Sequence, residues 1–232
     1  MTRANDRGIP YTQVIMPALN EEEGIGLTIA ELVYDLGHPN LLVVDGRSTD
    51  RTVEIAKNLG ANVVFQDGKG KGDALAKGIA CADYKAQFIV LIDADYTYPS
   101  VYIPEMIKIL EKNPEVGMVC GNRFRGYLEK GARYDLYYLG NRGIAFVHNF
   151  LNGVQLVDPL TGLRVVRANI LRNWKPKSKG FDIEVELNHY VESQGYTIAE
   201  VPIQYRDRLG KKKLSLRDGR VILKRIIQEM TC

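Results

Sequence analysis

The chain has 232 residues, 45% hydrophobic and 25% charged, a composition that suits one folded domain and excludes fibrous and intrinsically disordered classes. Its longest apolar stretches, such as Phe88 to Ile92, fall far short of the roughly 20 residues needed to span a bilayer, and the polar start MTRANDRG has no signal-peptide core, so the sequence reads as cytosolic and not integral. Formal net charge is +3, but Tyr205 to Arg225 holds nine Lys or Arg against Asp207 and Asp218, a net of +7 that leaves about −4 on everything else; such a basic run asks for an anionic partner, whether phosphate, nucleic acid or acidic lipid headgroup.

In chain order, the first half alternates short apolar runs with helical patterns. Tyr11 to Pro17 reads as a strand, Glu22 to Leu36 as a helix, Leu41 to Asp45 as a strand and Asp50 to Leu59 as a helix. Ala61 to Phe65 is again strand-like, Asp73 to Ala82 helical and Gln87 to Asp93 a buried strand. Strands separated by helices of this length predict one α/β domain on a mostly parallel, Rossmann-like sheet flanked by helices. Ligands of such sheets sit beyond the carboxyl ends of the strands. Each strand here is followed by a polar loop: PALNEE (Pro17 to Glu22), DGRSTD (Asp45 to Asp50), DGKGKGD (Asp67 to Asp73) and DADYTYP (Asp93 to Pro99). Four loops are therefore expected on one edge.

Further along, Ser100 to Lys112 reads as a helix and Val116 to Gly121 as a strand. Between Asp135 and Leu151 the residues Leu136, Leu139, Phe146, Val147, Phe150 and Leu151 recur at helical spacing, with Arg142 and His148 among them. That pattern suits a helix packed on the core or one lying on a membrane surface. Gly180 to Gly195 reads as a helix, Thr197 to Tyr205 as a strand and Asp218 to Met230 as a terminal helix. Cys81, Cys120 and Cys232 are widely spaced, without CxxC pairing, so buried structural thiols are expected rather than disulfides or a zinc site.

The DADYTYP loop carries the most chemistry. A buried strand ends in Asp93 and Asp95, and a turn there would let both carboxylates converge on one divalent cation. Mg²⁺ and Mn²⁺ prefer hard oxygen ligands, and Mg²⁺ takes one or two carboxylates while substrate phosphates complete its shell. An acidic turn is the competing reading; the buried strand and the three other polar loops favour metal. In DGRSTD, Ser48, Thr49 or Asp50 would cap the following helix, which leaves Asp45 to accept hydrogen bonds from a base or ribose. The glycines of GKGKGD allow close backbone approach, and Lys69 and Lys71 offer cations for phosphate, although GxxxxGK[ST] is absent and the loop is not a P-loop. Asn20 can cap a helix whose positive end the glutamates of NEEEG complement.

The segments PALNEEEGI, VVDGRSTDRT, KGKGDAL, LIDADYTYP, GNRF, DPLTGLRVVR, EVPIQY and YRDRLGKKKL follow one another over roughly Tyr11 to Leu214. In that order they resemble family 2 glycosyltransferases of GT-A fold, most of all the dolichyl-phosphate sugar synthases. The resemblance implies one domain with a nucleotide-sugar and metal-binding half, about residues 11–99, and an acceptor half, about residues 100–232, ending in the basic segment. It implies that Pro17, Leu19 and Glu21 contact the nucleotide, that Asp45 binds its base or ribose, and that Lys71 and Ala94 belong to the donor site. Asp93 and Asp95 would hold Mg²⁺ or Mn²⁺ bridging the diphosphate. Where those synthases often carry a glutamine two residues after the second aspartate, this sequence has Thr97, so a hydroxyl or water would supply the third ligand. Arg123, Arg206, Arg208 and Lys213 match basic residues near the phosphates, with Lys212 and Lys213 where the family usually has SK. Asp158, Gly162 and Arg164 match its DPxSGFR stretch.

The implied reaction is inverting transfer of a hexose to a polyprenyl (dolichyl) phosphate, peripherally at the cytoplasmic face of a membrane. Metal and cations would stabilise the departing nucleoside diphosphate without proton transfer. A lipid phosphate, with a second pKa of about 6, is already anionic near neutral pH. A hydroxyl acceptor would need a general base, and Asp158 is the first candidate; with a lipid phosphate, Asp158 instead orients or caps the acceptor loop. DGRSTD, in place of the DD-type pair common in GDP-mannose users, favours a UDP-sugar, glucose or N-acetylglucosamine. The alternatives are a soluble transferase to a small phosphorylated or saccharide acceptor, and a non-catalytic nucleotide-sugar-binding module. The basic run lacks the aromatic interleaving that stacks bases, so no nucleic acid is expected.

Overall fold

The computed structural model describes residues 8–124, 142–147, 149–150, 156–211, 213 and 216–229. Among them, seven strands form one sheet: β1 (Thr12–Ala18), β2 (Asn40–Asp45), β3 (Asn62–Phe65), β4 (Phe88–Leu91), β5 (Val116–Asn122), β6 (Arg164–Arg167) and β7 (Thr197–Pro202). Their order is β3-β2-β1-β4-β6-β5-β7. Neighbours pair in parallel except at β6, which runs against both β4 and β5.

Helices among the described residues include α1 (Ile25–Leu36), α2 (Thr52–Asn58), α3 (Lys71–Ala80), α4 (Ile103–Lys112), α5 (Ala168–Leu171), α6 (Ile183–Ser193) and α7 (Leu216–Glu229). Alternate side chains of β1 enter opposite cores. Val14 and Met16 join α1 and α4, whereas Ile15 packs with α3 and α6. A sheet covered on both faces has no solvent side, which is why its strands read as unbroken apolar runs. Helix α1 shows the complementary pattern: Ile25, Ile29, Leu32 and Leu36 recur on one buried stripe.

The chain steps outward from β1 to β2 to β3, then returns to the other side of β1 as β4. Loops leaving β1 and β4 therefore part in opposite directions, and a crevice opens between them at the carboxyl ends of the strands.

Several local expectations are revised. Helix α3 begins at Lys71, two residues before the predicted Asp73, and β6 and α5 were not anticipated. Ser48, Thr49 and Asn20 are not helix caps: Ser48 bonds to Asp45 and Asn20, and the Asn20 side chain accepts from Thr49 N–H. Asp50 alone serves α2, its Oδ1 accepting from Thr52 N–H at 3.0 Å. Cys120 is buried but Cys81 is exposed; Cys81 lies just past the end of α3, as its C-cap. Residues 142–147 and 149–150 are helical. Ala145 is buried there, yet Phe146 and Phe150 project into solvent, so core packing does not account for the aromatic side chains. Leu136, Leu139, His148, Leu151, Lys212 and Cys232 lie outside the described residues. No helix among the described residues is long and apolar enough to cross a membrane.

Candidate active site

A cavity of about 380 Å³ opens where the β1 and β4 loops part. Pro17, Leu19 and Glu21 line it from the end of β1, and Asp93, Ala94 and Asp95 from the end of β4. Lys71 enters from the start of α3, and Arg208 and Lys213 from the chain after β7. These nine expected residues share the cavity with Gly46, Gln66 and Phe181, for which spacing offered no signal.

Lys71 Nζ stands 2.6 Å from Asp93 Oδ1 and 2.7 Å from Glu184 Oε1. Burial opposes the ammonium charge, but the two carboxylates outweigh it and hold the Lys71 pKa above its ordinary value. The close approach permitted by the glycines of GKGKGD is to the protein's own backbone: a Cβ on Gly70 would lie 2.3 Å from Lys179 O, and one on Gly72 2.3 Å from Ser178 O. That packing seats Lys71 at the first turn of α3. On the other flank of the site, a Cβ on Gly162 would stand 2.3 Å from Asp93 Oδ2, so the backbone entering β6 confines the Asp93 side chain.

Asp95 is almost fully buried. Its Oδ1 accepts from Thr97 N–H at 3.2 Å and from Thr97 Oγ1 at 2.5 Å, while Oδ2 faces Arg208 Nη1 at 2.5 Å. Burial, and then the charge of Asp93, raise the Asp95 pKa. Glu21 Oε1 receives both Arg208 and Lys213; burial nevertheless raises its pKa. Four carboxylates (Glu21, Asp93, Asp95, Glu184) thus meet three cations (Lys71, Arg208, Lys213). Glu21 Oε2, Glu184 Oε2 and Arg208 Nε are buried without a hydrogen-bond partner. Because buried polar groups are nearly always paired, these three point to a site shaped around something besides its own chain.

Five expected site residues lie elsewhere. Thr97 is fully buried with its hydroxyl given to Asp95, and it does not line the cavity. Asp45 is equally buried: Oδ1 accepts from Ser48 Oγ at 2.5 Å and Oδ2 from Ser48 N–H at 2.8 Å. The turn through Arg47, at φ 67, brings Ser48 back onto it. Both Asp45 oxygens are engaged inside their own loop, and the cavity wall after β2 and β3 is Gly46 and Gln66 instead.

Arg123 and Asp158 pair with each other. The buried Asp158 carboxylate accepts from Arg123 N–H, Nε and Nη2 at 3.0, 2.7 and 2.7 Å, and the guanidinium lies 5.5 Å from the Tyr205 ring. A carboxylate closed by a bidentate guanidinium is not placed to take a proton. Its role here is to join the end of β5 to the loop before β6, with Glu200 accepting from the N–H groups of Val157 and Asp158. Arg206 forks onto Glu31 of α1, both contacts at 2.8 Å, and stacks over Tyr96. Its backbone does reach the site loop: Arg206 N–H donates to Thr97 O, and Leu209 N–H to Asp95 O. Arg164, fully buried, donates to Thr161 O, Pro159 O and Asn188 Oδ1, which fixes the loop that carries Gly162.

Known proteins are similar to this chain in sequence and fold. The model of the family described as Glycosyl transferase family 2 matches residues 13–174. The chain is 35% identical over 205 residues to the dolichyl-phosphate hexose transferase of Haloferax volcanii, covering 87% of this chain and 85% of that protein. It is 33% identical over 215 residues to glycosyltransferase AglJ of the same organism, covering 90% and 68%. Among solved structures, glucosyl-3-phosphoglycerate synthase from Mycobacterium tuberculosis, in complex with Mn²⁺, uridine diphosphate and phosphoglyceric acid, superposes with a TM-score of 0.74 at 22% identity, over 95% of this chain and 78% of that one. That likeness is one of fold, the expected GT-A architecture. With a family match across most of its sheet and relatives aligned over most of its length, the chain belongs to glycosyl transferase family 2 and is a glycosyltransferase.

Proposed function

We propose that this glycosyltransferase moves a hexose from a nucleotide sugar to a polyprenyl phosphate such as dolichyl phosphate, with inversion at the anomeric carbon, peripherally at the cytoplasmic face of a membrane. The product is a lipid-linked sugar for glycan assembly. The observation that carries this reading is the state of the acids. Among the described residues, Glu21, Asp93 and Asp95 each face a cation across the cavity, and Asp158 is closed by Arg123. None of these is placed as a general base, and a phosphate monoester, with a second pKa of about 6, needs none. The relative named for dolichyl-phosphate hexose transfer supports the same acceptor. The uridine diphosphate of the structural neighbour supports a UDP-linked donor.

A divalent cation suits the donor set. Asp93 and Asp95 present hard oxygens on one wall, and Mg²⁺ takes one or two carboxylates while phosphate and water complete its shell. Asp93 and Asp95 would hold Mg²⁺ or Mn²⁺, and Thr97 would act through Asp95 without contacting the ion. When bound, the ion supplies positive charge to the leaving diphosphate. Residues 11–99 would form the donor and metal half and residues 100–232 the acceptor half, with Arg208 and Lys213 reaching across to the diphosphate. A phosphate oxygen of the acceptor bonds to the anomeric carbon as the bond to the diphosphate oxygen breaks; the electron pair leaves on the nucleoside diphosphate and no proton moves.

The test is transfer from labelled UDP-glucose, UDP-N-acetylglucosamine or GDP-mannose to a short polyprenyl phosphate with Mn²⁺ or Mg²⁺. Metal-dependent label should enter the organic phase, and Asp95→Asn should stay folded while losing turnover about a hundredfold or more. Nucleotide release with label left in water would overturn the lipid acceptor.

A further inference from the structure

The basic segment after β7 lies across the DADYTYP loop. Arg206 N–H donates to Thr97 O at 3.0 Å and Leu209 N–H to Asp95 O at 3.2 Å, and between these two fastenings Arg208 meets the Asp95 carboxylate. A further fastening stands outside the cavity, on α1. Thr28 and Glu31 are three residues apart on that helix and so share a face. Thr28 Oγ1 accepts from Tyr96 N–H at 3.1 Å, and Glu31 Oε1 accepts from the Tyr96 hydroxyl at 3.1 Å. Both Glu31 oxygens also accept from Arg206 at 2.8 Å, and the Arg206 guanidinium covers the Tyr96 ring, 4.2 Å from its centroid. Tyr96 has φ 65, a left-handed backbone that a residue with a large side chain keeps only where its surroundings fix it. Its two neighbours are Asp95 and Thr97, whose carbonyls take the N–H bonds of the basic segment.

We propose that Glu31, Tyr96 and Arg206 form a latch that holds the basic segment over the cavity, and that Arg206 is a positioning residue for glycosyl transfer, acting through Arg208 and Lys213. Arg206 does not line the cavity, whereas Arg208 and Lys213 do. A guanidinium that forks onto a carboxylate is fixed in direction as well as distance, and the ring beneath it fixes its plane. The latch therefore sets where the segment crosses the Asp95 turn, and with it where the two cavity cations stand. The inference rests on the proposed role of Arg208 and Lys213 at the departing diphosphate.

The experiment is limited trypsin digestion of the full chain, with mass spectrometry timing the cuts after Arg208 and Lys211, in wild type, Glu31→Gln, Arg206→Met and the double variant. Cutting there requires the segment to lift from the loop, so its rate reports that local opening. Each single variant should be cut about fivefold faster than wild type, and the double variant little faster than the singles, because both changes remove one shared contact. The Arg206 and Glu31 side chains are 32% and 28% exposed, so Tm should move by no more than about 3 °C. Transfer to a short polyprenyl phosphate, from whichever of UDP-glucose, UDP-N-acetylglucosamine and GDP-mannose the wild type uses, should fall about tenfold in kcat with the donor KM within about threefold. Wild-type cutting rates in both single variants, or a lifted segment with kcat unchanged, overturn the latch. Turnover lost in Arg206→Met but kept in Glu31→Gln would mean that Arg206 touches the substrate itself, and overturns it as well. Digestion needs neither donor nor acceptor: a wild type that transfers to no polyprenyl phosphate defeats the proposed acceptor and leaves the cutting rates to decide the latch. Arg208→Gln with wild-type turnover would take Arg208 from the diphosphate, and the positioning role of Arg206 with it.

Discussion

Replacing Asp158 by Asn separates a structural carboxylate from a catalytic one. The Asp158 side chain is fully buried and that of Arg123 is 11% exposed, so the substitution leaves a guanidinium charge in nearly dry surroundings. Asn keeps the size but not the compensating charge, and removing one partner of a buried ion pair costs about 3–5 kcal/mol. For a chain of this length each kcal/mol moves Tm by about 2–4 °C, so a fall of roughly 6–20 °C is expected. Arg123→Met should cost a similar amount. The double variant should lose much less than the sum, because the unpaired charge created by each single change is absent from it. The assay is thermal denaturation of the three variants together with steady-state transfer well below every Tm. Asp158→Asn should then turn over within a few fold of wild type. An unchanged Tm with kcat down by about 10² or more would refute the reasoning, since Asp158 would then have to leave Arg123 and accept a proton during turnover.

Two further perturbations probe other parts of the molecule. In Gly162→Ala the new methyl would meet Asp93 Oδ2 at 2.3 Å; the displaced carboxylate should shift the Mn²⁺ dependence of transfer to higher concentration, and an unmoved titration would show that Asp93 is not a metal ligand. Burial pushes Glu192 up to about 7. The unfolded chain releases that proton near the ordinary 4.5 and the folded chain only near 7, so stability falls as pH rises through this window and is level above it. Glu192→Gln should therefore raise Tm at about pH 8 and change it far less at about pH 5; equal changes at both would sink the assignment.

Much of this architecture was legible because both faces of the sheet are covered. Strands such as Leu41 to Asp45 then stand out as apolar runs, and the loops after them as polar interruptions. β6 was not legible: its sequence, RVVR, has arginine at both ends, and only the structure shows Arg164 bonding carbonyls inside the fold and Arg167 bonding the Val116 carbonyl. Nine expected residues line the cavity; seven of them stand where β1 and β4 end or α3 begins, whereas Arg208 and Lys213 follow only from the family resemblance. Asp45 and Thr97 do not line the cavity because of turn geometry. Nothing in DGRSTD reveals that Arg47 adopts a positive φ and folds Ser48 onto Asp45, or in DADYT that Thr97 turns back onto Asp95. Glu184 was missed for a related reason: a glutamate within an apolar helix reads as solvated until Lys71 is seen beside it.

The reversed strand β6 has a consequence for how the fold tolerates change. β4 and β5 point the same way because each runs against β6, so the chain leaves the catalytic rim after Asn122 and comes back to that same rim at Arg164. A parallel neighbour would have required a crossover spanning the height of the sheet. Among the described residues, none between Asn122 and Arg164 adds a strand to the sheet, and lengthening such a connection costs about 0.6 kcal/mol of loop closure for each doubling. Arg123 and Asp158 sit at its two ends and draw it shut like the neck of a bag. The connection between Arg123 and Asp158 can therefore change length without shifting the register of any strand pair.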